Sequence, residues 1–262
     1  MGKCVYYNDY LQLDKILAAQ ELESCKSQAA HDEMLFIVIH QTYELWFKQL
    51  LAEVSSVIDT MSKPRLDDNS AELQTIVHRL QRMVTILDVL VHQIDILETM
   101  TPMDFLDFRD QLAPASGFQS WQFKLLEAKL GLQFECRHQQ EYYVAQLTQP
   151  HVDIIKNAEK QKSVLALVNT WLERMPFFDI DTYWTNYSSQ HPSSKQHPFW
   201  ADYEAIYTNS LSDSEQSNGN HFKSIFDHTG TPNPTRQLSP LACRSALFIM
   251  LYRGYPMLEL PF

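Results

Sequence analysis

Residues 31–53, HDEMLFIVIHQTYELWFKQLLAE, are the stretch that most constrains how this chain folds. The stretch has no Gly or Pro, and its apolar residues fall on more than one side of the helix that it predicts. A helix that is apolar nearly all round is buried, so an ionisable group within it must be hydrogen-bonded or used in chemistry. His40 lies in its middle, and Phe36 lies one turn earlier on the same face. From these residues alone, a hydrogen-bonded core histidine is the commoner interpretation.

The composition favours helices over strands. Gly is scarce, with 6 residues in 262, and no alternation of period two is long enough to predict a strand. We therefore predict an all-α protein, with residues 1–262 forming one domain built as a bundle of long antiparallel helices. Two polar segments, 176–199 and 212–236, are rich in Ser, His, Pro or Gly and are predicted to be irregular connections.

The predicted helices follow apolar spacing, N-cap residues and proline breaks. The second long helix carries an apolar stripe in steps of three and four, typical of a helix packed lengthwise against another. The residues of that stripe are Leu73, Val77, Leu80, Val84, Leu87, Val91, Ile94 and Leu97. The predicted helices span residues 9–23, 29–62, 70–98, 102–112, 118–130, 134–148, 153–174, 200–211 and 239–253.

Charge and cysteine usage exclude several classes of protein. The formal net charge of −11 argues against nucleic acid or an anionic membrane surface as the main partner. Four cysteines (Cys4, Cys25, Cys136 and Cys243) form no CxxC pair, which indicates reduced thiols and a cytoplasmic protein. No apolar run approaches the roughly 20 residues of a membrane span, and the N-terminus lacks the apolar core of a signal peptide.

A second aromatic and polar pair repeats the geometry of Phe36 and His40. In TPMDFLDFRDQL, Phe105 and Arg109 are four residues apart and share one helical face. Arg109 lies between Asp107 and Asp110, so a solvated surface ion pair is the alternative interpretation of this residue.

Four segments together resemble the tryptophan 2,3-dioxygenase family. They are HDEMLFIVIHQTYELWFKQ, LETMTPMDFLDFRDQLAPASGFQSWQF, the opening YNDYLQLDKIL and the late LSPLACRSALFIMLYR. The resemblance covers nearly the whole chain in the family's order. It implies an all-helical, heme b-dependent homotetramer that uses O2 to open the indole ring of L-tryptophan, giving N-formylkynurenine in the kynurenine pathway.

The resemblance also implies roles for individual residues. His40 is expected to be catalytic beside the indole N–H, and Arg109 to grip the substrate carboxylate, for which a planar guanidinium is suited. Phe36, His40 and Ser116 are expected to lie near the heme. The remaining substrate-binding residues are expected to be Ile37, Val38, Ile39, Phe105 and, reaching into a neighbouring subunit's site, Tyr7, Tyr10 and Leu11.

One departure from the family pattern concerns the iron. The family's proximal histidine helix and its GTGGSSG loop are not found before Phe262, so we assign no metal ligand. Three explanations stay open: a truncated or split dioxygenase, a short homologue that acts as a tryptophan-binding or regulatory subunit without catalysis, or a replacement ligand such as His221 or His228.

Overall fold

A computed structural model describes residues 5–26, 29–64, 66–67, 70–132, 146–174, 181–190, 197–226 and 238–251. Within these ranges the chain is helical and has no strand, which confirms the all-α prediction. In these described ranges, short 3-10 helices span Glu23–Lys26, Gly117–Gln119 and Asp213–Glu215. The α-helices are α1 (Tyr7–Leu11), α2 (Leu13–Leu17), α3 (Glu33–Met61), α4 (Ala71–Leu97), α5 (Pro102–Leu112), α6 (Trp121–Leu130), α7 (Gln149–Glu159), α8 (Val164–Arg174), α9 (Asp181–Gln190), α10 (Pro198–Ser210), α11 (Gln216–Phe226) and α12 (Pro240–Leu251).

The chain divides into two compact units. The first comprises Met1–Glu53, Arg82–Ala128 and Leu132–Lys160. The second comprises Val54–Gln81, Lys129–Gly131 and Gln161–Phe262.

In the first unit, the segments of α3 and α4 run antiparallel. The Tyr43 hydroxyl donates a 2.5 Å hydrogen bond to the carbonyl of Leu90, while Arg82 donates a 2.6 Å bond to Glu53. From Tyr43 to Glu53 the residue number on α3 increases, while the partner on α4 decreases from Leu90 to Arg82. The two helices are therefore antiparallel. The carboxylate of Glu53 is buried, and Arg82 compensates its charge there.

The core of the first unit is apolar and drawn from five helices. Alongside α3 and α4, Phe108 of α5 is fully buried, and Leu125 and Ala128 of α6 pack with Ile155 and Ala158 of α7. Burying such side chains is the main favourable contribution to folding. These contacts fix α5, which carries Phe105 and Arg109, within the unit.

In the second unit, α8 packs against α12 and α12 packs against α11. The N-terminus of α12 is tied to α8 by Ser239, whose N–H donates to Asn169 at 2.7 Å and whose hydroxyl donates to Glu173 at 2.5 Å. The indole of Trp171 is buried and donates to the carbonyl of Leu66 at 3.1 Å. The indole N–H of Trp171 and the N–H and hydroxyl of Ser239 are therefore all hydrogen-bonded, as polar groups removed from water require.

Both segments predicted as irregular contain helices, so that part of the prediction is wrong. Helix α9 lies within 176–199, and α11 lies within 212–236 and includes Gly219. Aromatic packing explains this, because Trp184 contacts His197 at 4.6 Å and Phe222 stacks on Tyr207 at 4.8 Å between ring centroids. Tertiary contacts of this kind override weak local helix propensity.

Two other predicted helices are interrupted. The helix predicted at 9–23 breaks at Gln12, whose φ of 53° lies in the left-handed region, and the helix predicted at 153–174 is broken between α7 and α8. The helix predicted at 134–148 falls mostly outside the described residues, as do Cys4, Cys136 and His228.

The apolar stripe predicted on α4 is only partly correct. Leu73 and Val77 are buried, but Val84, Val91 and Ile94 are 59%, 64% and 46% exposed. The buried positions beyond Val77 are instead Met83, Ile86 and Leu90. Because Val, Met, Ile and Leu occur on both sides of this helix, spacing alone did not separate its buried face from its exposed one.

No helix among the described residues is long and apolar enough to cross a membrane.

Candidate active site

Four side chains from α3 and α5 form an aromatic cluster in the first unit. The ring of Phe36 lies 4.1 Å from the imidazole of His40 and 5.6 Å from both Phe105 and Phe108, between centroids. Phe105 and Phe108 meet edge to face at 5.4 Å and 89°, which is a favoured arrangement of aromatic pairs. Phe108 is fully buried whereas Phe36, His40 and Phe105 are half-buried. The cluster therefore has a rigid base and an accessible aromatic surface.

The imidazole of His40 has a defined orientation. Its Nδ1 lies 2.7 Å from the backbone carbonyl oxygen of Phe36. A carbonyl oxygen only accepts, so Nδ1 carries the hydrogen and donates it. In the neutral imidazole, Nε2 therefore keeps its lone pair and is a hydrogen-bond acceptor.

Arg109 lies beside the aromatic cluster with its charge exposed. Its guanidinium carbon is 5.8 Å from the centroid of the Phe105 ring, within the range of a cation–π contact. The side chain is exposed in the isolated chain. This arrangement places a fork of N–H donors at the edge of the aromatic surface, which suits a ligand with a carboxylate.

Helix α5 begins with a capping box that fixes where Phe105 and Arg109 project. The N–H of Asp104 donates to the Thr101 hydroxyl at 3.3 Å, and the N–H of Thr101 donates to the Asp104 carboxylate at 2.9 Å. The hydroxyl and backbone of Thr101 hydrogen-bond to that carboxylate and hold the pKa of Asp104 below its ordinary value. Pro102 occupies the first helical position, where its missing N–H costs nothing.

A buried carboxylate lies at the start of α3, one turn before Phe36. Glu33 accepts hydrogen bonds from the backbone N–H groups of Glu23 at 2.8 Å and Ser24 at 2.9 Å. Burial by itself raises the pKa of Glu33, but hydrogen bonds from the side chain and backbone of Ser24 and the backbone of Glu23 outweigh it. The net effect is a pKa below the ordinary value, and Glu33 is a buried anion.

The other predicted substrate-binding residues of α3 occupy different surroundings. Ile39 is 5% exposed and belongs to the core, Ile37 is half-buried, and Val38 is 42% exposed. Val38 lies about 200° around the helix from Phe36, on the opposite side. The structure therefore brings Phe36, His40, Phe105 and Arg109 together but does not add Val38 to them.

The described contacts of Tyr7, Tyr10, Leu11 and Ser116 do not include residues of this cluster. Tyr7, Tyr10 and Leu11 are on α1, with Tyr7 and Tyr10 73% and 75% exposed. Ser116 caps a 3-10 helix, where its hydroxyl accepts from the N–H of Phe118 at 3.3 Å. Among the described contacts, none joins these four residues to Phe36, His40 or Arg109.

Two residues of the site were missed by the sequence analysis. Phe108 forms the base of the aromatic cluster, and its position three residues after Phe105 was the available signal. Glu33 was missed because it accepts from backbone N–H groups of the 3-10 helix Glu23–Lys26, which leave no side-chain pattern in the sequence.

The half-buried rings of Phe36 and His40, whose planes are tilted by 38° to one another, supply a largely apolar surface that a porphyrin could contact. In the described part of the chain, no group of three or more His, Cys, Asp or Glu side chains could hold a metal ion. A heme does not require such a group, since one axial side chain suffices to hold its iron.

The fold and the cluster define an all-helical protein in which an aromatic surface on α3 and α5 has the exposed guanidinium of Arg109 at its edge. The family model described as tryptophan 2,3-dioxygenase matches residues 1–262. Tryptophan 2,3-dioxygenase of Alteromonas mediterranea is 42% identical over 274 residues, covering 98% of this chain and 74% of that protein. The enzymes of that name from Bdellovibrio bacteriovorus and Dictyostelium discoideum are 39% and 41% identical, covering 98% and 99% of this chain and 75% and 68% of those proteins. The chain belongs to the tryptophan 2,3-dioxygenase family.

Proposed function

We propose that this chain is a heme-dependent dioxygenase that opens the indole ring of L-tryptophan with O2 to give N-formylkynurenine. The C2–C3 bond of the indole breaks and both oxygen atoms enter the product, so the reaction balances without a further reductant. The observation that carries the proposal is the cluster itself, in which Phe36, His40 and Phe105 form an aromatic surface with Arg109 at its edge. Family membership supports the same substrate.

The residues of the cluster have separate tasks in this reaction. Phe36 and Phe105 pack against the indole, with Phe108 as their support. The lone pair on Nε2 of His40 accepts a hydrogen bond from the indole N–H, which orients the ring and polarises it. Arg109 binds the substrate carboxylate through two parallel hydrogen bonds.

Heme b, when bound, supplies the activation of O2. Phe36, His40 and Ser116 are the residues of this chain that would contact it. The aromatic surface excludes water from that face. We assign no axial ligand, and His221 and His228 are the candidates for a replacement ligand in this chain.

The proposed assembly is a cytoplasmic homotetramer in the kynurenine pathway. Tyr7, Tyr10 and Leu11 of one subunit would complete the site of a neighbour. The exposure of Tyr7 and Tyr10 in a single chain supports this proposal, because large aromatic side chains that protrude together commonly mark an interface.

Arg109 provides the direct test of the proposed function. We expect Arg109→Ala in the heme-reconstituted full chain to lower kcat/KM for L-tryptophan by about 10²-fold, because a charge-assisted, two-pronged contact is lost. N-formylkynurenine is measured by chromatography and mass spectrometry. The control is Lys48→Ala, which removes an equal charge from an exposed position of α3.

Two outcomes would overturn this proposal. If Arg109→Ala and Lys48→Ala have equal effects, the carboxylate assignment is wrong. If the unsubstituted chain binds L-tryptophan but forms no product after heme reconstitution, the chain is a tryptophan-binding subunit and not an autonomous enzyme.

A further inference from the structure

Residues 19–26, which join the N-terminal helices to α3, are held by side chains of α3 itself. At one end Glu33 accepts from the N–H groups of Glu23 and Ser24 at 2.8 and 2.9 Å. At the other end Gln41 accepts from the amide of Gln20 at 2.6 Å and donates to the carbonyl of Ala19 at 3.0 Å. Glu33 and Gln41 lie on either side of Phe36 and His40 in the sequence of α3.

The Glu33 end of this connection is the more tightly built of the two. Glu33 and Ser24 are both 0% exposed, and the Ser24 hydroxyl accepts from the N–H of Ala30 at 3.0 Å. Loss of a buried carboxylate that accepts from two N–H groups leaves both donors without that acceptor, which is costly. The 3-10 helix at Glu23–Lys26 is therefore fixed relative to the first turn of α3.

The same 3-10 helix packs against α5. Helix α5 carries Phe105 and Arg109, whereas α3 carries Phe36 and His40. The contact thus runs from Glu33 through Glu23–Lys26 to α5, and it supplements the direct contact between the Phe36 and Phe105 rings. A change in how Glu33 holds the turn alters the support on which α5 rests.

We propose that Glu33 is a positioning residue for the substrate pocket, setting the separation between His40 on α3 and Arg109 on α5 by holding the Glu23–Lys26 helix. The inference deepens the proposed function, on which its prediction for substrate depends. Glu33 does not touch the substrate. It acts through Arg109, so its loss weakens recognition of the carboxylate more than recognition of the indole.

The test compares L-tryptophan with tryptamine, which has the indole and the amine but no carboxylate. Affinities of the full chain for both are measured by titration calorimetry. In Glu33→Gln, one of the two carboxylate oxygens is replaced by an NH2 group that cannot accept. We expect its preference for L-tryptophan over tryptamine to fall roughly tenfold, since misplacement of a binding group by a fraction of an ångström is costly.

The matched control is Glu53→Gln. Glu53 is also a buried carboxylate on α3, and it is hydrogen-bonded by Arg82 and Gln49. General destabilisation should act alike in both variants, so equal preferences in Glu33→Gln and Glu53→Gln would overturn the proposal. If Glu33→Gln fails to fold, Ser24→Ala removes the hydroxyl that accepts from Ala30 and hydrogen-bonds to Glu33, and a smaller loss of preference in the same direction is expected.

Amide hydrogen exchange provides a readout that does not depend on substrate. Faster exchange in α5 is expected for Glu33→Gln and not for Glu53→Gln, and equal exchange in the two variants would overturn the proposal. If the unsubstituted chain binds no L-tryptophan, the proposed function fails, while the exchange measurement still decides whether Glu33 holds α5.

Discussion

At the scale of single residues, the site depends on polar atoms whose partners are backbone groups. His40 is oriented by the carbonyl of Phe36, and Glu33 by the N–H groups of Glu23 and Ser24. Backbone partners do not vary with the side chains around them. The orientations of His40 and Glu33 therefore follow the course of the main chain, and the Ser24 side chain adds a further hydrogen bond to Glu33.

Glu33 also predicts how stability depends on pH. Its folded-state pKa lies below the ordinary value of 4.5, so its contribution to stability is present above that pH and is lost as the pH falls through the lower, folded-state pKa. We expect the difference in unfolding free energy between the unsubstituted chain and Glu33→Gln to shrink on going from about pH 7 to about pH 4 and below. Urea unfolding at several pH values measures this difference.

The comparison variant for this pH prediction is Glu53→Gln. Each variant removes one buried carboxylate, so their pH profiles separate the effect of Glu33 from the general effect of acid. A difference between the unsubstituted chain and Glu33→Gln that is independent of pH would contradict the assignment of Glu33 as a buried anion.

At the scale of elements, Gly131 ends α6 in a conformation that only glycine adopts easily. Its φ is +115°, and a Cβ atom there would lie 2.8 Å from both the Cβ of Leu165 and the hydroxyl of Ser163. We expect Gly131→Ala to lower the unfolding free energy by about 2–4 kcal/mol, because backbone strain and overpacking add. Chemical unfolding monitored by circular dichroism measures the loss.

Gly117 is the matched control for this substitution. A Cβ atom at Gly117 meets no heavy atom within 4 Å, and its φ is outside the left-handed region. Gly117→Ala should therefore change stability by no more than about 0.5 kcal/mol. Similar losses in the two variants would mean that the packing around Gly131 is not the cause.

Elements with strong local signals were predicted well from the sequence. Helix α5 begins at Pro102 behind the Thr101 cap, and α12 begins at Pro240 behind Ser239, as their N-cap and proline residues indicate. Helices α9 and α11 were missed because their stability comes from rings such as Trp184 and Phe222, whose partners are distant in sequence. Local propensity does not report such contacts.

The residues of the candidate site likewise fall into those that local sequence spacing predicts and those that depend on tertiary packing. Phe36 with His40 and Phe105 with Arg109 were found from a spacing of four residues, which reports a shared helical face. That spacing did not distinguish a surface ion pair from a binding residue at Arg109, and the family resemblance favoured binding. The burial of Phe108 and the partners of Glu33 arise from the packing of α3, α5 and the turn before α3. No single stretch of sequence encodes these contacts.

At the scale of the whole molecule, the proposed tetramer predicts complementation between inactive subunits. Tyr10→Ala removes a side chain that the N-terminal arm (Tyr7, Tyr10 and Leu11) would contribute to a neighbour's site. Arg109→Ala removes the carboxylate-binding side chain from the subunit's own pocket. When the two variants are mixed and reassembled at equal concentration, about a quarter of the sites should combine an intact pocket with an intact arm. Product formation by the mixture, compared with each variant alone, measures this recovery.

The control for complementation is a mixture of Arg109→Ala with the double variant Tyr10→Ala/Arg109→Ala. Every pocket in that mixture lacks Arg109, so no activity should return. Native mass spectrometry establishes that hybrid assemblies form in both mixtures. If hybrids form but activity does not return, Tyr10 contributes to the site of its own subunit or to no site.

The hydrogen bond from Nδ1 of His40 to the carbonyl of Phe36 makes the two nitrogens of this ring chemically unequal. Acylating reagents react with a nitrogen lone pair of neutral imidazole, and in His40 only Nε2 offers one. Under the proposed function, a bound indole would donate its N–H to Nε2 and so occupy and shield that lone pair. The extent of acylation of the peptide containing His40 therefore reports occupancy of the pocket directly, without turnover, heme colour or a labelled ligand.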